Sequence, residues 1–141
     1  MSYGICHLSI VPLRAEPSDA SEMVSQVLFG EHLTVLEKTK KWSKIQVHFD
    51  GYEGYIDNKQ YLEINQELFD ELSESDYHYS SEILDYITDD NRHLSTISIG
   101  SRLPFLNDTH FKIQDKEFQY EGSTFQGKLN KNEINEVLSQ K

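Results

Sequence analysis

One cysteine and six histidines are the side chains of this chain best suited to nucleophilic, acid–base or metal chemistry. A cysteine nucleophile needs a lowered thiol pKa and a nearby base. Cys6 lies instead inside a β-prone run with apolar neighbours, which predicts a packed thiol and no catalytic residue. The histidines lack metal-ligand spacings such as His-Glu-x-x-His, so we expect scattered surface residues, no metal site and no cofactor. They are His7, His32, His48, His78, His93 and His110.

The chain is strongly acidic, with a formal net charge of −11 over 141 residues. Nucleic-acid-binding proteins carry a basic surface that neutralises phosphates, so this charge argues against a nucleic-acid partner. Nine acids and no Lys or Arg fall between Gln66 and Asn91. This pattern is typical of a solvated connecting segment. Alternatively, it could attract a cationic group such as the amino terminus of a peptide.

The sequence contains no run of about 18 apolar residues, so we expect no membrane span. The first residues, 1–7, have neither the basic nor the apolar region of a secretory signal, which predicts a cytoplasmic location. The cell envelope is the alternative. A single cysteine cannot form an internal disulfide, which fits a reducing compartment.

The first 65 residues have the pattern of a small closed or half-open β-barrel. Short β-prone runs at 3–10, 23–29, 32–37 and 42–49 are separated by polar loops. The dipeptide Asp50-Gly51 predicts a two-residue type I′ hairpin turn, because glycine and aspartate tolerate positive φ. Residues 58–61 predict a single 3₁₀ turn before the last strand of this unit.

The second part begins with a segment, 66–92, that we expect to be an acidic, partly helical linker packed on its neighbours. Residues 66–75 predict an amphipathic helix, and 81–87 fit either a helix or a strand. From Leu94 the period of two returns, and a weak internal repeat predicts a second, degenerate barrel at 93–129. The repeat matches Gly30 and Leu33 with Gly100 and Leu103, Trp42 with Phe111, and Tyr52 and Gly54 with Tyr120 and Gly122. Residues 130–141 predict the start of a helix leading to a further domain.

Three segments together resemble a known module: Ile10–Pro17, Trp42–Val47 and Asp50–Ile56. They are similar to the amino-terminal bacterial SH3 (SH3b) module of NlpC/P60-type cysteine peptidases, which cut γ-D-glutamyl bonds in peptidoglycan peptides. The resemblance implies a mainly β fold of two small SH3-like barrels joined by the linker. The peptidase nucleophile lies in an Asp-Cys-Ser-Gly motif, which Cys6 does not match. We therefore expect no peptidase activity from this chain alone and an NlpC/P60 catalytic domain in cis.

The resemblance also implies a substrate-binding role for two residues. In these peptidases a tyrosine of the Gly-Tyr-x-Gly-aromatic hairpin and an acid hold the free amino group of a terminal L-Ala. Gly51–Tyr55 matches that hairpin and assigns the tyrosine to Tyr52. Strict spacing would place the acid at Val24, and Glu22, two residues earlier, is the nearest carboxylate that a shifted strand could supply. The alternatives without a binding role are a packed hairpin residue for Tyr52 and a solvated acid for Glu22.

Other residues of the module have structural roles in this interpretation. Arg14 and Pro17 shape the long loop after the second strand, and Trp42 resembles the buried strand residue of an SH3b barrel. Tyr52, Tyr55 and Trp42 could otherwise form an aromatic groove of the kind that binds proline-rich peptides.

The function that these residues favour is a non-catalytic region that borders a peptidase active site and selects peptidoglycan stem peptides with a free N-terminal L-Ala. A free-standing binding module for the cell wall or muropeptides is one alternative. A protein-interaction adaptor that uses the acidic linker is the other.

Overall fold

The computed structural model describes residues 2–75, 77–81, 84–98, 100–114, 116–122 and 124–127. Most of them lie in short antiparallel strands. The strands are β1 (Ser2–Cys6), β2 (Ile10–Arg14), β3 (Met23–Leu28), β4 (His32–Lys38), β5 (Trp42–Val47), β6 (Glu53–Asp57), β7 (Tyr61–Ile64), β8 (Tyr77–Ser80), β9 (Leu84–Asp89), β10 (Leu94–Ser98), β11 (Arg102–Leu103), β12 (His110–Ile113), β13 (Lys116–Gln119) and β14 (Thr124–Gly127). The predicted mainly β fold class is confirmed.

Two helical segments interrupt the strands. The 3₁₀ helix Asn58–Gln60 precedes β7, and helix α1 (Gln66–Glu74) follows it. Asp57 and Asn65 cap them, because the Asp57 carboxylate accepts from the Lys59 N–H and the Asn65 side chain accepts from the Leu68 N–H. Both segments were predicted. No helix among the described residues has the length and apolar content needed to cross a membrane.

Strands β1 to β7 form one antiparallel sheet in the order β3-β2-β6-β5-β4-β1-β7. Burial alternates along β5, where Ser43, Ile45 and Val47 are buried and the intervening residues are half-exposed. This period of two puts one face of the sheet on a core and leaves the other face outward. The core consists of Cys6, Val11, Leu13, Val27, Leu33, Val35, Ile45, Val47, Ile56 and Tyr61.

The second half repeats the strand order of the first. Its strands form two sheets, in the orders β10-β9-β13-β12 and β11-β8-β14. Adding seven to each strand number of the first sheet gives the order β10-β9-β13-β12-β11-β8-β14. These are the two orders of the second half placed end to end, and the sheet is divided between β12 and β11. The chain therefore follows the same path twice, first as one sheet and then as two.

Two glycine turns show the repeat at the level of individual hydrogen bonds. Gly30 and Gly100 each lie two residues before a strand, β4 or β11, with φ of 83° and 84°. The Gly30 N–H donates to the Cys6 carbonyl at 2.9 Å, and the Gly100 N–H donates to the Ser80 carbonyl at 2.9 Å. In each half the first strand thus ends against the turn before the fourth. This equivalence supports the predicted repeat, while the second barrel itself stays a prediction.

Two other predicted matches of the repeat disagree with the strand order. Phe111 is the second residue of β12, whereas Trp42 is the first of β5. Tyr120 follows β13, whereas Tyr52 precedes β6. In the first match the residues differ by one position within equivalent strands, and in the second they lie at opposite ends, because spacing alone aligned similar residue types.

The segment predicted as a linker contributes strands to the second half. Strand β8 pairs with β11 and β14, and β9 pairs with β10 and β13. Within the segment 81–87, for which the sequence allowed a helix or a strand, residues 84–87 lie in β9 and form a strand. The sheets are open, since each strand order has two ends, and neither closure into two barrels nor the boundaries at 65, 92 and 129 follow from these pairings. The predicted helix at 130–141 lies outside the described residues.

A second core joins the two halves. Ile5, Phe29 and Ile64 of the first half and Leu72 of α1 pack with the second half, whose contribution is Tyr79, Ile87, Ile97, Leu103, Phe111, Ile113, Phe118 and Tyr120. The Phe29 ring meets Phe111 and Phe118 edge-to-face, with centroids 6.0 and 5.7 Å apart. The Arg102 N–H also donates to the Phe29 carbonyl at 2.8 Å. The halves are thus packed against each other.

Candidate functional site

The β5–β6 loop that carries Tyr52 is longer than the predicted two-residue turn. Strand β5 ends at Val47, and the Val47 N–H donates to the Tyr52 carbonyl at 2.9 Å, so four residues, 48–51, form the loop. Gly51 has φ of 76°, but Asp50 does not have the positive φ that a type I′ turn requires. The Gly51 N–H instead donates to the Val47 carbonyl at 2.9 Å. The type I′ prediction is wrong, because the turn spans five residues, from Val47 to Gly51, and its hydrogen bond returns to the Val47 carbonyl.

The Tyr52 side chain projects from a loop whose backbone is held on both sides. The Asp50 carboxylate accepts from the Tyr52 N–H at 3.2 Å, and the Gln46 side-chain amide donates to the Gly51 carbonyl at 3.3 Å. The side chain itself is 53 % exposed. Its hydroxyl has no hydrogen-bond partner among the described residues, so it is available to accept from or donate to a ligand.

Glu22 is exposed at the end of the loop between β2 and β3. Its carbonyl accepts from the Ala15 N–H at 2.8 Å. Within the same loop the Arg14 guanidinium donates to the Ser21 carbonyl at 3.1 Å, and the Ser21 hydroxyl accepts from the Glu16 N–H at 2.9 Å. These bonds give Arg14 the loop-shaping role that the sequence predicts, and they leave the Glu22 carboxylate facing solvent.

A β-bulge lies at Val24, the position that strict spacing assigns to the acid. Ser25 lies opposite Leu13, but Met23 lies opposite Arg14, so Val24 is the extra residue of β3. The bulge shifts the register by one residue, whereas Glu22 lies two residues before Val24 in the chain. The assignment of the acid to Glu22 therefore stays a prediction.

The pairing of three strands relates Glu22 to Tyr52. Arg14 lies opposite both Met23 of β3 and Tyr55 of β6. Glu22 is one residue before Met23 and Tyr52 is three before Tyr55, so each lies just before its strand, at the same end of the sheet. Among the described residues no hydrogen bond joins the two side chains.

Cys6 is a packed thiol, as predicted. The residue is 1 % exposed, and its Sγ–H donates to the Leu8 carbonyl at 3.3 Å. Burial raises the pKa of the Cys6 thiol to about 12, and the nearby Glu31 carboxylate adds to the increase. At neutral pH the thiolate needed for nucleophilic attack is therefore essentially absent at this position.

The prediction of scattered surface histidines is wrong for His32. This residue is fully buried, and its ring stacks on His48 at 4.4 Å and meets Phe69 edge-to-face at 5.1 Å. The Ser73 hydroxyl lies 3.0 Å from His32 Nε2 and donates its proton to the Phe69 carbonyl. The sequence could not reveal this pair, because His32 and His48 are brought together only by β4 lying beside β5.

Trp42 also differs from its predicted place. It is half-buried on the outward face of the first sheet and is not part of either core. Because Ser43 and Ile45 take the inward positions of β5, the alternation of the strand turns Trp42 outward, towards Tyr55. The sequence suggested burial from residue type, whereas the register of β5 decides the face.

Comparisons with known proteins relate part of the first half to a described family. Residues 13–60 match the family described as the bacterial dipeptidyl-peptidase SH3 domain. The γ-D-glutamyl-L-lysine dipeptidyl-peptidase of Bacillus cereus is 33 % identical over 101 aligned residues, which cover 64 % of this chain and 30 % of that protein.

A crystal structure of an NlpC/P60 family protein from Bacillus cereus has a TM-score of 0.71 with this chain at 18 % identity. The match covers 89 % of this chain and 57 % of that chain, so it shows the fold alone and the present chain spans only part of both relatives. Residues 13–60 thus resemble a bacterial dipeptidyl-peptidase SH3 domain in sequence, and the chain has a fold similar to that of an NlpC/P60 family protein.

Proposed function

We propose that this chain is the non-catalytic SH3 region of a cell-wall peptidase of the NlpC/P60 type. In this proposal it borders the active site and helps to select peptidoglycan stem peptides with a free N-terminal L-Ala. The catalytic domain acts in cis. The observation that carries the proposal is the exposed Tyr52 side chain on a hydrogen-bonded loop, at the same end of the first sheet as the exposed Glu22.

The chemistry of the two side chains suits an ammonium group. A carboxylate and a phenol oxygen both accept hydrogen bonds, and the carboxylate also balances the positive charge. In this proposal the ammonium group lies between the two side chains, at the end of the sheet where β3 and β6 begin. An acetylated amino terminus has neither the charge nor the three donors, so this site would reject it.

The relatives support the type of substrate. The relative of 33 % identity is named for a γ-D-glutamyl-L-lysine dipeptidyl-peptidase, and the matching family is named for dipeptidyl-peptidases. An enzyme that releases dipeptides must recognise the end of its substrate, and an SH3 region with an ammonium site would provide that recognition. The chain alone holds only one wall of such a pocket. We therefore expect weak binding, on the order of millimolar, which is about 4 kcal/mol.

The test is an NMR titration of the chain with L-Ala-γ-D-Glu-L-Lys and with the same peptide acetylated at its amino terminus. The free peptide should shift the amide signals of residues around Tyr52 and Glu22, and the acetylated peptide should not. Tyr52→Phe should weaken binding modestly because only the hydroxyl is lost. Tyr52→Ala and Glu22→Gln should weaken it further, to below detection.

Tyr86→Ala is the matched control, because Tyr86 is also an exposed tyrosine, at 51 %, but lies in the second half. It should bind the free peptide as the parent chain does. Equal binding of free and acetylated peptides, or unchanged binding by Tyr52→Ala, would remove the ammonium site from the proposal. Tight binding that does not depend on the amino terminus would favour the free-standing muropeptide-binding module.

A further inference from the structure

The loop that precedes Tyr52 is held by other parts of the chain as well as by its own hydrogen bonds. Two of its residues, 48–51, make these outside contacts. The His48 ring stacks on His32 with centroids 4.4 Å apart, and the His48 N–H donates to the His32 carbonyl at 3.1 Å. Phe49, the next residue, packs against the first core. The start of the loop is thus anchored on the first half.

The second half reaches the same loop through one side chain, that of Arg102 in β11. The Arg102 guanidinium carbon lies 4.5 Å from the centroid of the Phe49 ring. This distance is within the ~6 Å at which a cation is attracted to the face of an aromatic ring. Arg102 is 4 % exposed, so the attraction acts away from water, where it is stronger. Phe49 therefore contacts a charged group that belongs to the other half of the chain.

The position of Arg102 is determined by its own surroundings. In the pairing of β8 with β11 it lies opposite Tyr79, and its guanidinium carbon is 5.8 Å from the centroid of the Tyr79 ring. Tyr79 is fully buried in the second core. On the backbone, the Arg102 N–H donates to the Phe29 carbonyl at 2.8 Å. A side chain held in this way has little freedom, so it can act as a fixed support for the Phe49 ring.

Phe49 is joined to Tyr52 through a short series of bonds. Asp50 follows Phe49 in the chain, and its carboxylate accepts from the Tyr52 N–H at 3.2 Å. The Val47 N–H donates to the Tyr52 carbonyl, and the Gly51 N–H donates to the Val47 carbonyl, both at 2.9 Å. A displacement of the Phe49 ring would move the Asp50 backbone and disturb the bonds that hold Tyr52.

We propose that Arg102 is a positioning residue for the peptide site: it holds Phe49 from the second half and thereby fixes the loop that presents Tyr52. The effect on peptide binding rests on the proposed function, whereas the support of the loop can be measured without a peptide. A group that is already fixed in the free protein binds its ligand more tightly, because less freedom is lost on binding. The second half thus contributes to peptide selection through the loop.

Amide hydrogen exchange of the whole chain without peptide tests the support of the loop. The reporters are the amides of Val47 and Gly51, whose hydrogen bonds close the loop. The Ile45 amide is the internal standard, because β5 lies there between β4 and β6. Arg102→Met removes the charge and keeps a long side chain. It should raise exchange of the two reporters at least about fivefold relative to Ile45, since loss of the cation–π attraction favours local opening.

Variants of Phe49 separate the ring from its apolar packing. Phe49→Leu keeps an apolar side chain against the first core but has no ring for the guanidinium, so it should resemble Arg102→Met. Phe49→Tyr keeps the ring and should exchange as the parent chain does. The double variant Arg102→Met/Phe49→Leu should exchange no faster than the more affected single variant, because both substitutions remove the same contact. Lys41→Met is the matched control, since it removes a cation 6.0 Å from the Trp42 ring and leaves the loop unchanged.

Binding of L-Ala-γ-D-Glu-L-Lys, followed by NMR, is the second measurement. Arg102→Met and Phe49→Leu should each weaken binding about fivefold or more, whereas Phe49→Tyr and Lys41→Met should bind as the parent chain does. Thermal unfolding shows whether each variant is folded. If Arg102→Met does not fold, Phe49→Leu decides the outcome.

The two measurements can fail separately. Unchanged exchange of the loop amides in Arg102→Met and Phe49→Leu would overturn the proposal and show that the loop's own hydrogen bonds suffice. An equal increase at Ile45 would also overturn it, because Arg102 would then support the whole first half. Faster loop exchange with unchanged peptide affinity would remove the positioning role. A parent chain that binds no peptide would instead overturn the proposed function, and exchange would still decide whether Arg102 holds the loop.

Discussion

At the scale of single residues, His32 is the group whose environment departs most from its expected one. It is fully buried against His48, Phe69 and Ser73. The Ser73 hydroxyl donates its single proton to the Phe69 carbonyl, so its oxygen accepts a hydrogen bond from His32 Nε2. His32 therefore carries a proton on Nε2. Burial lowers the pKa of His32 to about 3, with smaller contributions from the charges of His48 and Arg102.

This environment predicts loss of stability in mild acid. The unfolded chain takes up a proton at His32 near pH 6.5, whereas the folded chain excludes it down to about pH 3. Between these values the unfolded state binds more protons, so the free energy of unfolding falls as the pH falls. Above about pH 6.5 this group has no effect. The loss should reach a few kcal/mol.

Urea unfolding at pH 7.5 and 5.0 measures the effect. His32→Gln keeps a side-chain donor for Ser73 but cannot be protonated, so its stability should depend less on pH than that of the parent. His110→Gln is the control, because His110 is exposed. An equal pH dependence in His32→Gln and the parent would assign the acid sensitivity to other groups.

At the scale of elements, two glycines in turns have similar backbone angles but different surroundings. Gly30 has φ of 83° and Gly51 has φ of 76°. A Cβ at Gly30 would lie 2.0 Å from the Arg102 carbonyl oxygen, whereas the nearest atom to one at Gly51 is the Gln46 side-chain nitrogen at 4.0 Å. Both glycines avoid left-handed strain, but only Gly30 also lets the second half approach.

Alanine at each position separates these two effects. Gly51→Ala should cost about 1–2 kcal/mol of unfolding free energy, from the positive φ alone. Gly30→Ala should cost clearly more, since the β3–β4 turn or strand β11 must also move. Chemical unfolding of the two variants beside the parent chain provides the comparison. Equal losses of unfolding free energy would mean that the Arg102 backbone moves away from the new Cβ without a free-energy cost.

At the scale of the whole molecule, the first half has a core of its own and also contributes to a shared one. Every buried residue of the first core lies between Cys6 and Tyr61. Phe29, in contrast, belongs to the shared core and packs on Phe111 and Phe118. The first half should therefore fold alone, but with less stability than in the whole chain.

Separate expression of residues 1–65 tests this division. The fragment should show β-type circular dichroism and cooperative unfolding at a lower urea midpoint than the whole chain. Phe29→Ala should cost about 3–5 kcal/mol in the whole chain, as for other buried phenylalanines, and much less in the fragment, where the partners of its ring are missing. An unstructured fragment, or equal losses in both contexts, would contradict a self-contained first core.

The sequence alone was sufficient for the local features of this protein. The period of two in the strands, the capped segments at Asn58–Gln60 and Gln66–Glu74, and the packed environment of Cys6 follow from neighbouring residues. The motifs at 10–17, 42–47 and 50–56 were also sufficient to indicate the bacterial SH3 domain that residues 13–60 match. These features depend on interactions within a few residues, which the order of the chain records directly.

Only the tertiary structure decided features that depend on register and on contacts between distant residues. The bulge at Val24, the four-residue loop before Tyr52 and the outward face of Trp42 follow from how strands pair. A shift of one residue moves a side chain to the other face of a sheet, and composition does not reveal that shift. The burial of His32 and the packing of Phe29 on the second half likewise join residues far apart in the chain, because burial there is determined by which surfaces meet.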